Sequence, residues 1–114
     1  MRSMDELGDR IATNLRKGVL EFCVLALLAE QEMYGLELAD TLVQRGLTAS
    51  EGSLYPLLAR MRHADLVTTR WDTPDRGRPR RYYAITTTGR EHLATFGPIW
   101  RTIRAGVDDL VEHP

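Results

Sequence analysis

The residues best placed to do chemistry lie in one short stretch. Residues 70–81 read Arg-Trp-Asp-Thr-Pro-Asp-Arg-Gly-Arg-Pro-Arg-Arg, which gathers five of the chain's fourteen arginines. Asp72 and Asp75 cancel two of those charges, so five minus two leaves the segment at +3 in a chain of net charge −1. A basic patch confined to one segment of a mildly acidic protein suits a polyanionic partner. Screening limits its reach to about 8–10 Å, so it acts locally whatever the net charge.

Within it, Arg76-Gly77-Arg78-Pro79 resembles the core of the AT-hook, in which an extended Gly-Arg-Pro carries an arginine into a narrow, negative minor groove. This assigns Arg78 to the minor groove and Arg76, Arg80 and Arg81 to phosphates. The alternative is a solvated loop whose charge serves solubility. No paired carboxylates or nucleophile constellation stands out. His63, His92 and His113 are far apart and lack metal-ligand spacing with Cys23. The sequence therefore points away from an enzyme, a bound metal or a cofactor.

These groups need elements to hold them. Residues 66–71 and 81–86 are β-prone runs rich in Val, Thr, Tyr and Ile. Pro74, Gly77 and Pro79 between them suit a turn, so the arginines belong at a hairpin tip. Tyr82 and Tyr83 must point to opposite faces of their strand. Before the hairpin, residues 4–14 form a short or frayed helix. Residues 16–30 carry Val19, Leu20, Val24, Leu27 and Leu28 at helical spacing and are buried. Residues 34–44 form a helix stopped by Gly46. Ser50 caps a further helix running to about residue 64, with Leu54, Leu57, Leu58 and Met61 inward.

The outward face of this last helix holds Gly52, Pro56, Ala59 and His63, flanked by Ser53, Tyr55 and Arg60. Small residues let a helix sink into a major groove about 12 Å wide, and its flanking polar groups reach phosphates or base edges. Pro56 reads as a break of the helical pattern two turns in, a local rule broken at a functional place. The bland alternative is an ordinary surface helix.

After Thr86, a good cap, residues 87–112 place Leu93, Phe96, Trp100, Ile103, Val107 and Leu110 at spacings of 3, 4, 3, 4 and 3. That heptad seam reads as a homodimer element, with an intrachain core stripe as the alternative. Gly97-Pro98 predicts a kink away from the seam. A two-fold dimer would address two half-sites about one DNA turn apart on a palindrome. The fold class is therefore mainly α with a small β-hairpin: a winged helix-turn-helix plus a C-terminal dimerisation helix. The divisions are 1–14 as an N-terminal extension, 15–86 as the DNA-binding domain, and 87–114 as the dimerisation helix.

Bulk numbers agree with one soluble domain. At 114 residues, 43% hydrophobic and 27% charged, the chain can bury a core without disulfides or metal. The single cysteine, Cys23, fits a reducing cytoplasm and an inert packing role. The longest apolar run, residues 22–29, is too short to span a membrane. Two other readings use the same features: a winged-helix protein-interaction module, and a redox-sensing regulator acting through Cys23 without a small-molecule ligand.

Four motifs together resemble the PadR family of transcriptional regulators over about residues 15–110. They are Leu15-Arg16-Lys17-Gly18-Val19-Leu20-Glu21, Met33-Tyr34-Gly35-Leu36-Glu37-Leu38, Ser50-Glu51-Gly52-Ser53-Leu54-Tyr55-Pro56-Leu57-Leu58, and Pro79-Arg80-Arg81-Tyr82-Tyr83 with Ile85-Thr86 and Gly89-Arg90. The short tail resembles the subfamily with one C-terminal helix. The resemblance implies a homodimeric repressor on double-stranded DNA, released by a small aromatic or toxic effector. It implies helix-turn-helix contacts at Tyr34, Ser50, Ser53 and Tyr55, and wing contacts at Pro79, Arg80 and Arg81. It also implies effector stacking at Trp100, beside Phe96. The chain departs from the family pattern at Pro98 and at Thr87, where an acidic residue is usual.

Overall fold

The computed structural model describes residues 4–48, 50–74 and 76–112; readings that fall on Ala49, Asp75 and His113 lie outside them. Helix α1 spans Met4–Lys17 and α2 spans Leu20–Glu30, followed by β1 at Met33–Tyr34 and α3 at Gly35–Gln44. A 3-10 turn at Glu51–Ser53 leads into α4, Leu54–His63; strands β2, Val67–Asp72, and β3, Arg80–Ile85, form the wing, and α5 is Thr87–Glu112. The sheet order is β1-β3-β2, antiparallel throughout.

Three expectations change. The helix read over residues 16–30 breaks at Gly18 and Val19, so α1 runs on to Lys17 rather than ending near Asn14. The domain boundary drawn at 14/15 therefore falls inside a helix. β1 is an extra strand, too short for a two-residue alternation to reveal, and is defined by its pairing of Met33 with Tyr83 and Tyr34 with Tyr82. Ser50 makes no side-chain capping bond. Instead the Ser53 and Thr48 hydroxyls, 3.0 Å apart, both reach the Ser50 carbonyl, at 2.9 and 3.3 Å. Because α4 begins at Leu54, Pro56 sits in its first turn, where the missing N–H has no helical acceptor to lose.

The core forms where the apolar faces meet. Val24, Leu25 and Leu28 of α2, Leu38, Ala39 and Leu42 of α3, and Leu54, Leu58 and Met61 of α4 are buried with Met33, Leu66, Val67 and Tyr83. α2 is apolar nearly all round because it packs against α3, β3 and α5. Leu57 is only half-buried at the edge of this core. Tyr83 points in and Tyr82 stays half-exposed, as strand alternation requires.

Thr86 joins the wing to the last helix. Its backbone N–H donates to the Leu66 carbonyl, its hydroxyl donates to the Asp65 carbonyl at 2.6 Å, and that same oxygen accepts the Gly89 N–H at 2.9 Å. Asp65 adopts φ 60° at the end of α4, where Leu66 N–H closes back to the Met61 carbonyl. At Gly89 the backbones pass so closely that a Cβ would lie 2.2 Å from the Leu66 carbonyl oxygen. α5 then continues unbroken through Pro98.

Gly89→Ala should therefore cost at least the 1–3 kcal/mol typical of overpacking, read from urea unfolding at fixed protein concentration. Gly52→Ala, with nothing within 4 Å of its Cβ position, should stay within about 0.5 kcal/mol of the parent. Equal effects at the two sites would contradict the close crossing.

Candidate nucleic-acid interface

Helix α4 presents Pro56, Ala59 and His63 outward, with Gly52 of the preceding 3-10 turn also exposed, over a buried row of Leu54, Leu58 and Met61. At about 100° per residue, Tyr55 falls on one flank of that face and Ser53 and Arg60 on the other. The Tyr55 ring lies against the start of α3, where a Cβ on Gly35 would sit 3.1 Å from it; the absent side chain makes room for the ring. Desolvation first, then the charge of Glu51, raises the Tyr55 phenol above its usual range. A tyrosine phenol is in any case a neutral O–H donor at physiological pH, which suits a phosphate or base edge.

Strand register sorts the wing residues onto two faces. Val67 pairs with Ile85, Thr69 with Tyr83 and Trp71 with Arg81, so this face starts in the core and runs outward past α4. At its outer end Trp71 is 64% exposed, with the Arg81 guanidinium 5.6 Å from the ring centroid. Arg81 Nε is buried without an acceptor among the described residues. Together with Tyr55, Gly35, Arg78 and Tyr83 these residues line an open groove of about 570 Å³ between α4 and the wing. Trp71 is a candidate that the sequence reading left out; its place two and four residues beyond Thr69 and Val67 on one strand face is the signal that identifies it.

The opposite face carries a ladder of charges and rings. Arg80 stacks over Tyr34 at 4.7 Å, Tyr34 meets Tyr82 edge-on at 5.7 Å, and Arg70 lies over Tyr82 at 4.6 Å. Arg70 also pairs with Glu32. The hydrogen bond from Arg70, reinforced by its charge, holds the Glu32 carboxyl below its usual range, so the pair is intact at neutral pH and is lost only in acid. One of the five clustered arginines is thus tied to the body of the domain. Pro79 and Arg80 also border the groove, and Arg76 stands exposed in the loop beyond it. The structure therefore brings Tyr34, Tyr55, Arg78, Pro79, Arg80 and Arg81 together around one groove. Ser50, Ser53 and Arg60 lie on the far side of α4, and Gly52 on its crest.

A second candidate site lies on α5. Phe22 of α2 stacks on Phe96 at 4.2 Å, and Phe96 on Trp100 at 6.0 Å. These rings wall an open cavity of about 620 Å³, completed by Gly18, Val19, Ile99 and Ile103, in which His92 and Thr95 supply the polar groups. Leu93 packs against the chain's own core, so the first two seam positions, Leu93 and Phe96, make intrachain contacts. Cys23 is half-buried, and burial pushes its thiol pKa up, away from the reactive thiolate. Among the described residues no group of His, Cys, Asp and Glu is arranged to hold a metal ion, and no helix is long and apolar enough to cross a membrane.

Trp71 and Trp100 are the chain's two tryptophans, so a Trp100→Phe variant isolates emission from the groove. Free protein should show a solvent-exposed indole quenched readily by iodide. Adding duplex DNA should shield it; unchanged quenching on DNA that is demonstrably bound would remove the inner wing face from the interface.

Comparison with known proteins bears on the whole arrangement. Residues 24–95 match the transcriptional regulator PadR-like family. A PadR-like transcriptional regulator from Bacillus cereus is 38% identical, with 89% of this chain and 99% of that one covered and a TM-score of 0.80. A PadR family transcriptional regulator from Eggerthella lenta is 31% identical, covering 96% of each chain, with a TM-score of 0.82. A Streptococcus transcriptional regulator is 31% identical over 84% of this chain and 95% of its own, with a TM-score of 0.75. Its winged helix-turn-helix, its sequence and these likenesses agree that the chain belongs to the PadR-like family of transcriptional regulators.

Proposed function

We propose that this regulator is a cytoplasmic homodimeric repressor that reads a palindromic operator and is released when a small planar aromatic compound enters the cavity beside Trp100. The observation that carries this is the apolar face of α5. Every residue from Pro98 to Glu112 is exposed in the single chain. Yet Trp100, Ile103, Val107 and Leu110 continue the seam that Leu93 and Phe96 begin inside the fold, and Leu110 is 74% exposed. A regular exposed apolar stripe over about three turns suits a partner helix. On α1, Ile11 and Leu15 are a second exposed apolar pair, 50% and 70% accessible. A second copy supplies both surfaces with cover and sets two α4 helices at a fixed spacing.

In this dimer each α4 enters a major groove. The Tyr55 flank and Arg78, Arg80 and Arg81 grip the backbone toward the wing, and Trp71 packs on its sugar-phosphate edge. The effector cavity lies against α2 and α5, and α5 is tied to the wing at Thr86. A ligand that prefers one setting of α5 therefore shifts the spacing of the two heads. The apolar lining and stacked rings suit a flat aromatic molecule.

Val107→Asp with Leu110→Asp changes only side chains exposed in the single chain. Sedimentation velocity should show the parent as a dimer and this variant as a folded monomer with weakened DNA binding. A monomeric parent would overturn the dimer. For the effector, planar dyes should quench Trp100 and dissociate the DNA complex in a gel shift. Dyes that bind at Trp100 and leave the complex intact would sink the release mechanism.

A further inference from the structure

A second groove runs along the other flank of α4. It has a volume of about 370 Å³ and lies between the end of α1 and the start of α4, with Arg16, Lys17, Arg60, Thr13, Ser50 and Ser53 in its lining. Three cations from two separate elements converge there, and no Asp or Glu is among its described lining residues. Arg16 and Lys17 complement the C-terminal end of α1, as the helix dipole favours, but that does not account for Arg60 facing them from α4. Arg16 is braced by donating its Nε–H to the Gly46 carbonyl at 2.9 Å. The Ser53 hydroxyl is turned to the Ser50 carbonyl, and Ser50, freed of a capping role, is exposed at the mouth.

The reading face of α4 is thus bracketed. The wing groove opens on its Tyr55 flank, and this cleft on its Ser53 and Arg60 flank. A helix with its side chains is about 10–12 Å across and the major groove about 12 Å wide, so a seated helix has a phosphate strand along each flank. We propose that the cleft holds a backbone phosphate of the DNA strand opposite the wing. Lys17 and Arg60 supply the charge, and Arg16 and the Ser50 hydroxyl supply oriented donors. This rests on the DNA-binding reading and adds the α1 end as a contact element, so that each head clamps both strands.

The test compares the parent with a Lys17→Gln/Arg60→Gln variant on mixed-sequence duplexes of about 30 base pairs, long enough for two half-sites one turn apart, over a salt series. The slope of log affinity against log salt should become shallower by about 0.9 for each phosphate that is no longer neutralised. Affinity should fall by a similar factor on every duplex, because groups that grip phosphate carry no sequence information. Both side chains are exposed, thermal melting checks the fold, and Lys17→Gln alone at the helix end gives the same sign at lower cost to α4. An unchanged slope on DNA that still binds would overturn the cleft and leave the DNA reading standing. A parent with no salt-sensitive binding to any duplex would overturn both. If inorganic phosphate stabilises the parent but not the variant while the DNA slope stays the same, the cleft takes a free anion and the proposal falls.

Discussion

The architecture depends on one crossing, where the start of α5 passes over the junction of α4 and β2. Three parts of the chain meet at Thr86, whose hydroxyl and backbone N–H satisfy groups from the end of α4, the entry to β2 and the first turn of α5. Gly89 permits the contact distance. The Thr86 hydrogen bonds tie the first turn of α5 to the end of α4 and the entry to β2. The wing, the end of α4 and the start of α5 are therefore joined at one place.

That junction gives the remaining features their sense. An α5 of 26 residues extends about 39 Å at 1.5 Å per residue. Its first half packs on α2 through Leu93 and the Phe22–Phe96 stack, while its second half is exposed among the described residues. A partner seated on the second half would inherit the orientation of the DNA-facing elements through the first. Trp100 stands at the change from covered to uncovered helix, beside the open cavity. In the proposed dimer, a small displacement there would change the separation of the two heads.

Much of this is legible in the residues. The heptad spacing of α5, most of the inner row of α4, the Gly46 stop and the opposite facing of Tyr82 and Tyr83 follow from periodicity and backbone preference alone; which of the two tyrosines turns inward does not. The rest is set by tertiary pairing. β1 exists because Met33 and Tyr34 find a free edge of β3, and no local pattern of two residues announces that. Arg70 reads as one more basic residue until Glu32, distant in sequence, is seen beside it. Ser50 has the right type for a cap, but the hydroxyls of Thr48 and Ser53 take over the turn it would have organised. Pro56 is anomalous only for a helix that starts at Ser50, and α4 starts at Leu54. The arginine-rich wing is visible in the sequence as a local charge, whereas the basic cleft beside α1 joins residues too far apart in the chain to register as a cluster.

In the proposed dimer two heads read one duplex, a reading that the seam and the basic surfaces support. Hydroxyl-radical footprinting of the protein on a duplex selected from random sequence tests this most directly. The expected result is two protected blocks related by two-fold symmetry, their centres about one helical turn apart, with protection on both strands flanking each major groove. A single protected block bound by one copy of the chain, with no symmetry mate at any protein concentration, would contradict it.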